Sequence, residues 1–164
     1  MKLLIGIGAA VIIAVALFCV IRSFIVVPAS VTIGNIPSIV EQLKEEGKNG
    51  SWAVLVFTPN GAQTNQDNSI NLQYSIEDGH MGLDWVLLGP RNIADKDKIM
   101  AFATERRHVV TERELNGVRY LRIEDDLISQ LGAEIITEFY HIDQHGKVSL
   151  ITDGFDWQSG GSKK

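Results

Sequence analysis

Apolar and polar positions alternate along this chain with two periods, and one stretch has no polar period at all. Residues 3–21 read LLIGIGAAVIIAVALFCVI, opening at Leu3 and closing at Ile21 without a charged side chain. A helix rises about 1.5 Å per residue, so this run nearly matches a bilayer core of about 30 Å. A retained anchor, a cleaved signal and a buried core helix are the three readings of such a run. A cleaved signal has a shorter apolar region and small residues at the cut. Here Arg22 interrupts the cleavage region, and Pro28 is a poor neighbour for a cut before Ser30. A domain of this size cannot bury the run on every side. It therefore reads as one N-terminal transmembrane helix, with residues 1–22 as the anchor. Lys2 before it and Arg22 after it nearly balance, and the very short N-terminal tail favours a single-pass protein with its domain on the non-cytoplasmic side.

Residues 23–33 read as a connector, with Pro28 stopping the anchor helix. Ile36, Ile39, Val40 and Leu43 then recur at helical spacing, with Asn35 as the expected cap, Pro37 in the first turn and Gly47 at the end. Residues 52–57 (WAVLVF) are continuously apolar, the pattern of a strand buried on both faces. Residues 58–69 are amide-rich and punctuated by Pro59 and Asn60-Gly61, a surface loop. Period two returns in residues 70–76 and puts Ile70, Leu72, Tyr74 and Ile76 on one face of a half-exposed strand. Glu77-Asp78-Gly79-His80 turns the chain into another buried strand at 83–88.

Beyond Gly89-Pro90, Asn92 is the expected cap of a helix reaching about Arg107, with Ile99, Phe102 and Ala103 on its core face. Residues 109–115 and 118–123 flank Asn116-Gly117, the preferred pair for a type I′ hairpin turn. That loop sets Leu115 opposite Val118, Glu114 opposite Arg119, Glu112 opposite Leu121 and Val110 opposite Ile123. Glu124, Asp125 and Asp126 open a short helix expected to end at Gly132. Residues 134–142 and 147–152 read as a last hairpin, and the tail 158–164 as disordered. The resulting expectation is an α+β fold for residues 34–157, a mostly antiparallel sheet with about three helices on one face.

Charge narrows the function classes. Outside the anchor, thirteen basic residues face twenty acidic ones, which argues against nucleic acid and against broad adhesion to anionic lipid. Cys19, the one cysteine, falls inside the apolar run behind Phe18, where lipid acylation would need a small residue. Asn49-Gly50-Ser51 is an acceptor sequon, and reads more plainly as a turn.

No motif concentrates chemistry. His141 and His145, with Asp143 between them, could join His80 or His108 around a metal, but the local sequence is a turn and no thiol is present in the domain. No serine sits in a nucleophile elbow. Asp125-Asp126 is explained by a helix start, and Asp84 and Asp156 each stand beside a tryptophan, where desolvation could raise a carboxyl pKa, but both read more plainly as solvated strand-end aspartates. Gly82-Leu83-Asp84-Trp85 is echoed by Gly154-Phe155-Asp156-Trp157, too short an echo to mark duplication. Arg91 at a strand-to-helix junction could meet an anion, but Pro90 removes a donor there and Arg91 reads more plainly as a solvated loop arginine. Arg106, Arg107, Arg113, Arg119 and Arg122 are interleaved with Glu105, Glu112, Glu114 and Glu124, a mixed-charge surface. Catalytic residues stay unassigned, and neither a cofactor nor a metal is called for. By elimination the chain reads as a membrane-anchored interaction module that binds another protein. A membrane-anchored hydrolase or metal enzyme, or a small-ligand sensor, stands as the alternative.

Overall fold

The computed structural model describes residues 28–59 and 68–158. The expected anchor, Cys19 and most of the tail lie outside them. Among the described residues no helix is long and apolar enough to cross a membrane.

Seven strands form one antiparallel sheet: β1 (Ala29–Thr32), β2 (Trp52–Phe57), β3 (Ile70–Glu77), β4 (His80–Val86), β5 (Val110–Leu115), β6 (Val118–Ile123) and β7 (Lys147–Asp153). Their order across the sheet is β1-β7-β2-β3-β4-β6-β5. Four α-helices accompany it among the described residues: α1 (Ile36–Glu46), α2 (Pro90–Ala94), α3 (Lys96–Glu105) and α4 (Ile128–Glu134). A π-helical turn, Ile135–Phe139, continues α4. The α+β class and the antiparallel sheet therefore stand.

The core lies between one face of the sheet and the helices. Leu55, Leu72, Tyr74, Trp85, Leu121 and Leu150 from the strands meet Ile36, Ile39 and Leu43 of α1, Ile99 and Ala103 of α3, and Leu131 of α4. Apolar residues of the opposite face form two separate clusters, Trp52 with Val54 and Ile151, and Val86 with Tyr120, and among the described residues no helical residue joins either.

Several local expectations hold in detail. The β5–β6 register pairs Leu115 with Val118, Glu114 with Arg119, Glu112 with Leu121 and Val110 with Ile123. Asn116 and Gly117 both have positive φ, 53° and 80°, as a type I′ turn demands. Arg119 nevertheless bonds the Glu112 carboxylate, not that of Glu114 directly opposite.

Other expectations need correction. Asp78 (φ 52°) and Gly79 (φ 81°) make a second tight two-residue turn, pairing Glu77 with His80, so β4 begins three residues earlier than expected. β3 is central and buried on both faces, with Gln73 and Ser75 enclosed opposite its apolar side chains. The expected connector ends in β1, an edge strand paired with β7. Asn35 stands at the N-cap of α1 as expected, but its side chain does not bond into the helix; its Oδ1 accepts from the Thr32 amide and hydroxyl at 3.0 and 2.9 Å. Asn92 is buried inside α2, where it bonds the Asn71 backbone in both directions and accepts from the Trp85 indole through its own carbonyl at 2.8 Å. The expected single helix therefore breaks at Asp95 into α2 and α3.

Gly132 does not end α4. It lies within the helix because the Tyr74 hydroxyl occupies the space a Cβ would need. Residues 134–142 are not a strand either. Ile135, Ile136 and Tyr140 reach the core from one helical face, and the β-branched run concealed that spacing. β7 consequently has no hairpin partner and inserts between β1 and β2.

Candidate functional site

Two charged residues sit inside the sheet on its helix-free face. Asp84 of β4 stands opposite Arg122 of β6, and the two side chains are almost completely buried. Arg122 Nη1 donates to Asp84 Oδ1 at 2.7 Å and to Ser75 Oγ at 2.9 Å. Ser75 Oγ in turn donates to Asp84 Oδ2 at 2.5 Å. The remaining Arg122 donors reach Glu124 Oε1 at 2.5 Å and the His80 carbonyl at 2.9 Å. Burying a charge is costly unless it is paired and hydrogen-bonded, and this network meets that requirement on every nitrogen of the guanidinium.

Room for the guanidinium comes from Gly82. A Cβ there would overlap the guanidinium carbon and both terminal nitrogens, so the glycine leaves the strand surface bare where Arg122 lies across it. Burial raises the Asp84 carboxyl above its ordinary value; the Arg122 charge and the Ser75 hydrogen bond oppose that rise without cancelling it. Burial pulls Arg122 down, but Asp84, Glu124 and Glu77 outweigh it and hold the guanidinium charged.

The network also shapes the sheet. Tyr120 is aligned with Val86, and Glu77 with His80, so Tyr120 and Glu77 do not share a row. Yet the Tyr120 hydroxyl donates to Glu77 at 3.0 Å, and Arg113 of edge strand β5 reaches Glu77 at 3.1 Å. Diagonal closure of this kind requires a strongly coiled sheet whose helix-free face is concave. Burial, reinforced by Glu77, holds the Tyr120 hydroxyl protonated well above the usual tyrosine range.

A cleft of about 210 Å³ opens in this concave face. Asn49, Gln73, Glu77, Asp78, Leu115 and Tyr120 are among its walls, and Ser75 and Asp84 lie in it. Among the described residues no lysine, arginine or histidine lines it. Gln73 is 1% exposed, and among the described residues its Oε1 has no hydrogen-bond partner, while its Nε2 lies 3.4 Å from Asp84.

The residues singled out in the sequence are scattered by comparison. His80 is exposed at the head of β4. His108 is buried, with Nδ1 2.7 Å from Asp125 Oδ2. His141 is exposed with φ 55°, and His145 is exposed in a turn held by Asp143. Among the described residues no three histidines, cysteines or carboxylates are placed to hold a metal ion. Asp156 is exposed, its carbonyl bonded to Gln42 of α1, and does not approach the network around Asp84. Arg91 pairs with Asp95 at 2.6 Å rather than facing an open anion site. Asn49 accepts from the Gly79 amide at 3.3 Å, tying the sequon turn to the cleft rim.

Arg122 was hidden among the surface charges of its hairpin. Its signal was the alternation in VRYLRI, which places Tyr120 and Arg122 on the face opposite Leu121 and Ile123, facing the lone aspartate of the apolar segment GLDWV. No family model, curated protein or solved structure matches the chain.

Proposed function

We propose that this protein is a membrane-anchored interaction module whose working surface is the concave, helix-free face of its sheet, where it binds another protein. The observation that supports this most is the buried Asp84–Arg122 network, which fixes charged groups at a cleft on the sheet face that the described helices leave uncovered. A buried ion pair contributes little net stability compared with a well-packed apolar pair, so its use here fits a requirement for a defined polar surface. The cleft, at about 210 Å³, is smaller than the roughly 300–1,000 Å³ of sites that enclose drug-sized ligands or cofactors. That size suits a side chain presented by a partner better than a cofactor. The Asp84 carboxylate is already engaged by Arg122 and Ser75, which leaves it poorly placed as a general base. In this reading residues 3–21 tether the domain, which faces the non-cytoplasmic side.

The test is site-specific photocrosslinking of the full-length chain in its own membrane. A photoreactive residue replaces Leu115 on the cleft rim or, as a control, the half-buried Gln42 of α1. Discrete adducts from Leu115 and none from Gln42 are expected. Adducts from Gln42 alone would place the interface on the helical side and defeat the reading.

A further inference from the structure

The chemistry of the cleft says what the partner must bring. Four carboxylates, Asp84, Glu77, Glu124 and Asp78, stand in and around it against two guanidiniums, those of Arg122 and Arg113. Both guanidiniums point their donors at these carboxylates, and neither lines the cleft. Most of the surface offered inward is apolar, and its polar part carries an excess of negative charge. Independently of charge, Gln73 carries a carbonyl oxygen that is buried and unpartnered. Buried polar atoms without a partner are rare, and a carbonyl oxygen needs a donor. Ile76 and Leu115 supply apolar wall beside these groups. An aliphatic stem ending in a cation matches such a surface, with the stem along the apolar wall and the donors at the acceptors.

We infer that the cleft binds a primary ammonium on an aliphatic stem, the lysine side chain of the partner protein. The inference rests on the reading of the concave face as a binding surface. The carboxylates of Glu77 and Asp78 and the Gln73 carbonyl are the acceptors that the cleft lining holds for such an ammonium, and the small volume admits one such chain. A free alkylamine offers the same chemistry and would occupy the same place.

The experiment titrates the full-length protein in detergent micelles, following the side-chain amide resonances of Gln73 and Asn49. Three probes are compared: n-butylamine, an end-blocked Gly-Lys-Gly peptide, and the same peptide with norleucine for lysine. Saturable shifts with the lysine peptide, weakened by added salt and absent with norleucine, are expected. Asp78→Asn keeps a residue tolerant of the positive φ at that position and should weaken binding several-fold without changing the fold. Gln73→Leu should weaken it about tenfold while leaving thermal stability unchanged or raised, because it removes an unsatisfied buried group. Shifts with n-butylamine as large as those with the lysine peptide also support the ammonium site; n-butylamine binding without the peptide would assign it to a free amine. Equal shifts with norleucine, or no shift with either amine, would overturn the inference. In the latter case crosslinking from Leu115 would show whether the face still binds a partner by other chemistry.

Discussion

Arg122 spans the helix-free face at 1% exposure, bound to Asp84, Ser75 and Glu124, and its position depends on the bare backbone at Gly82. Removing one partner of a buried pair leaves an uncompensated charge, so Arg122→Met should destabilise the domain by about 3–5 kcal/mol. Gly82→Ala adds one methyl where the guanidinium lies and should cost about 1–3 kcal/mol by forcing that group aside. Chemical denaturation of the full-length protein checks both; a Gly82→Ala variant as stable as the parent would mean that the guanidinium has other room. The pH dependence of stability has two opposing contributions. Burial pushes the Asp95 carboxyl up, but hydrogen bonds from Tyr140, Lys98 and Arg91 outweigh burial and hold its pKa below the ordinary value. Glu124 is held low in the same way by Arg122. Groups depressed in the folded state stabilise it above the unfolded carboxylate pKa, about 4, and that contribution is lost as pH falls through the depressed values. Asp84 is raised, so its contribution is fully present below about 4 and fades as pH rises towards its folded value. Thermal midpoints between pH 2 and 6 should therefore fall on the acid side, and Asp95→Asn should flatten that fall. An acid limb unchanged by Asp95→Asn would assign it to other groups.

At the level of elements, the two type I′-like turns organise the concave face. Asn116-Gly117 closes β5 on β6, and Asp78-Gly79 closes β3 on β4, with positive φ at all four residues. Gly117→Val should cost on the order of 1 kcal/mol or more, since a β-branched residue resists that conformation. An unchanged melting temperature in the full-length variant would contradict it. The Asn-Gly turn was legible in the sequence down to each facing pair. The Asp-Gly turn carries the same signal, yet the polar run around it masked where β4 begins. Where elements were misread, a side chain had a tertiary role that local pattern does not encode. Asn92 serves the Asn71 backbone across the fold rather than its own helix end. Gly132 makes way for Tyr74 from a strand more than fifty residues earlier. Ile135 and Ile136 carry strand propensity but are held in helix by the core they complete. The candidate site was little legible: Asp84 was noticed beside a tryptophan but read as a solvated strand-end residue, whereas it is buried, and its partner on β6 depends on a β4–β6 pairing that crosses α2 and α3.

Across the whole molecule, the account joins a tether to a domain that has one covered and one open sheet face. The tether is a proposal from sequence. Full-length protein should remain in the membrane fraction through high salt and alkaline carbonate, and release into the soluble fraction would contradict an anchor at residues 3–21. The asymmetry of the domain bears on function more directly. Helices α1, α3 and α4 bury one face, while the other holds its charges in fixed pairs around a cleft. Hydrogen exchange on the full-length chain, free and in the complex trapped by crosslinking from Leu115, tests the central claim. The account predicts slowed exchange at the β3–β4 and β5–β6 turns and along β3, with the exposed faces of α1 and α3 unchanged. Protection confined to those helices, with the two turns exchanging as in the free protein, would contradict it.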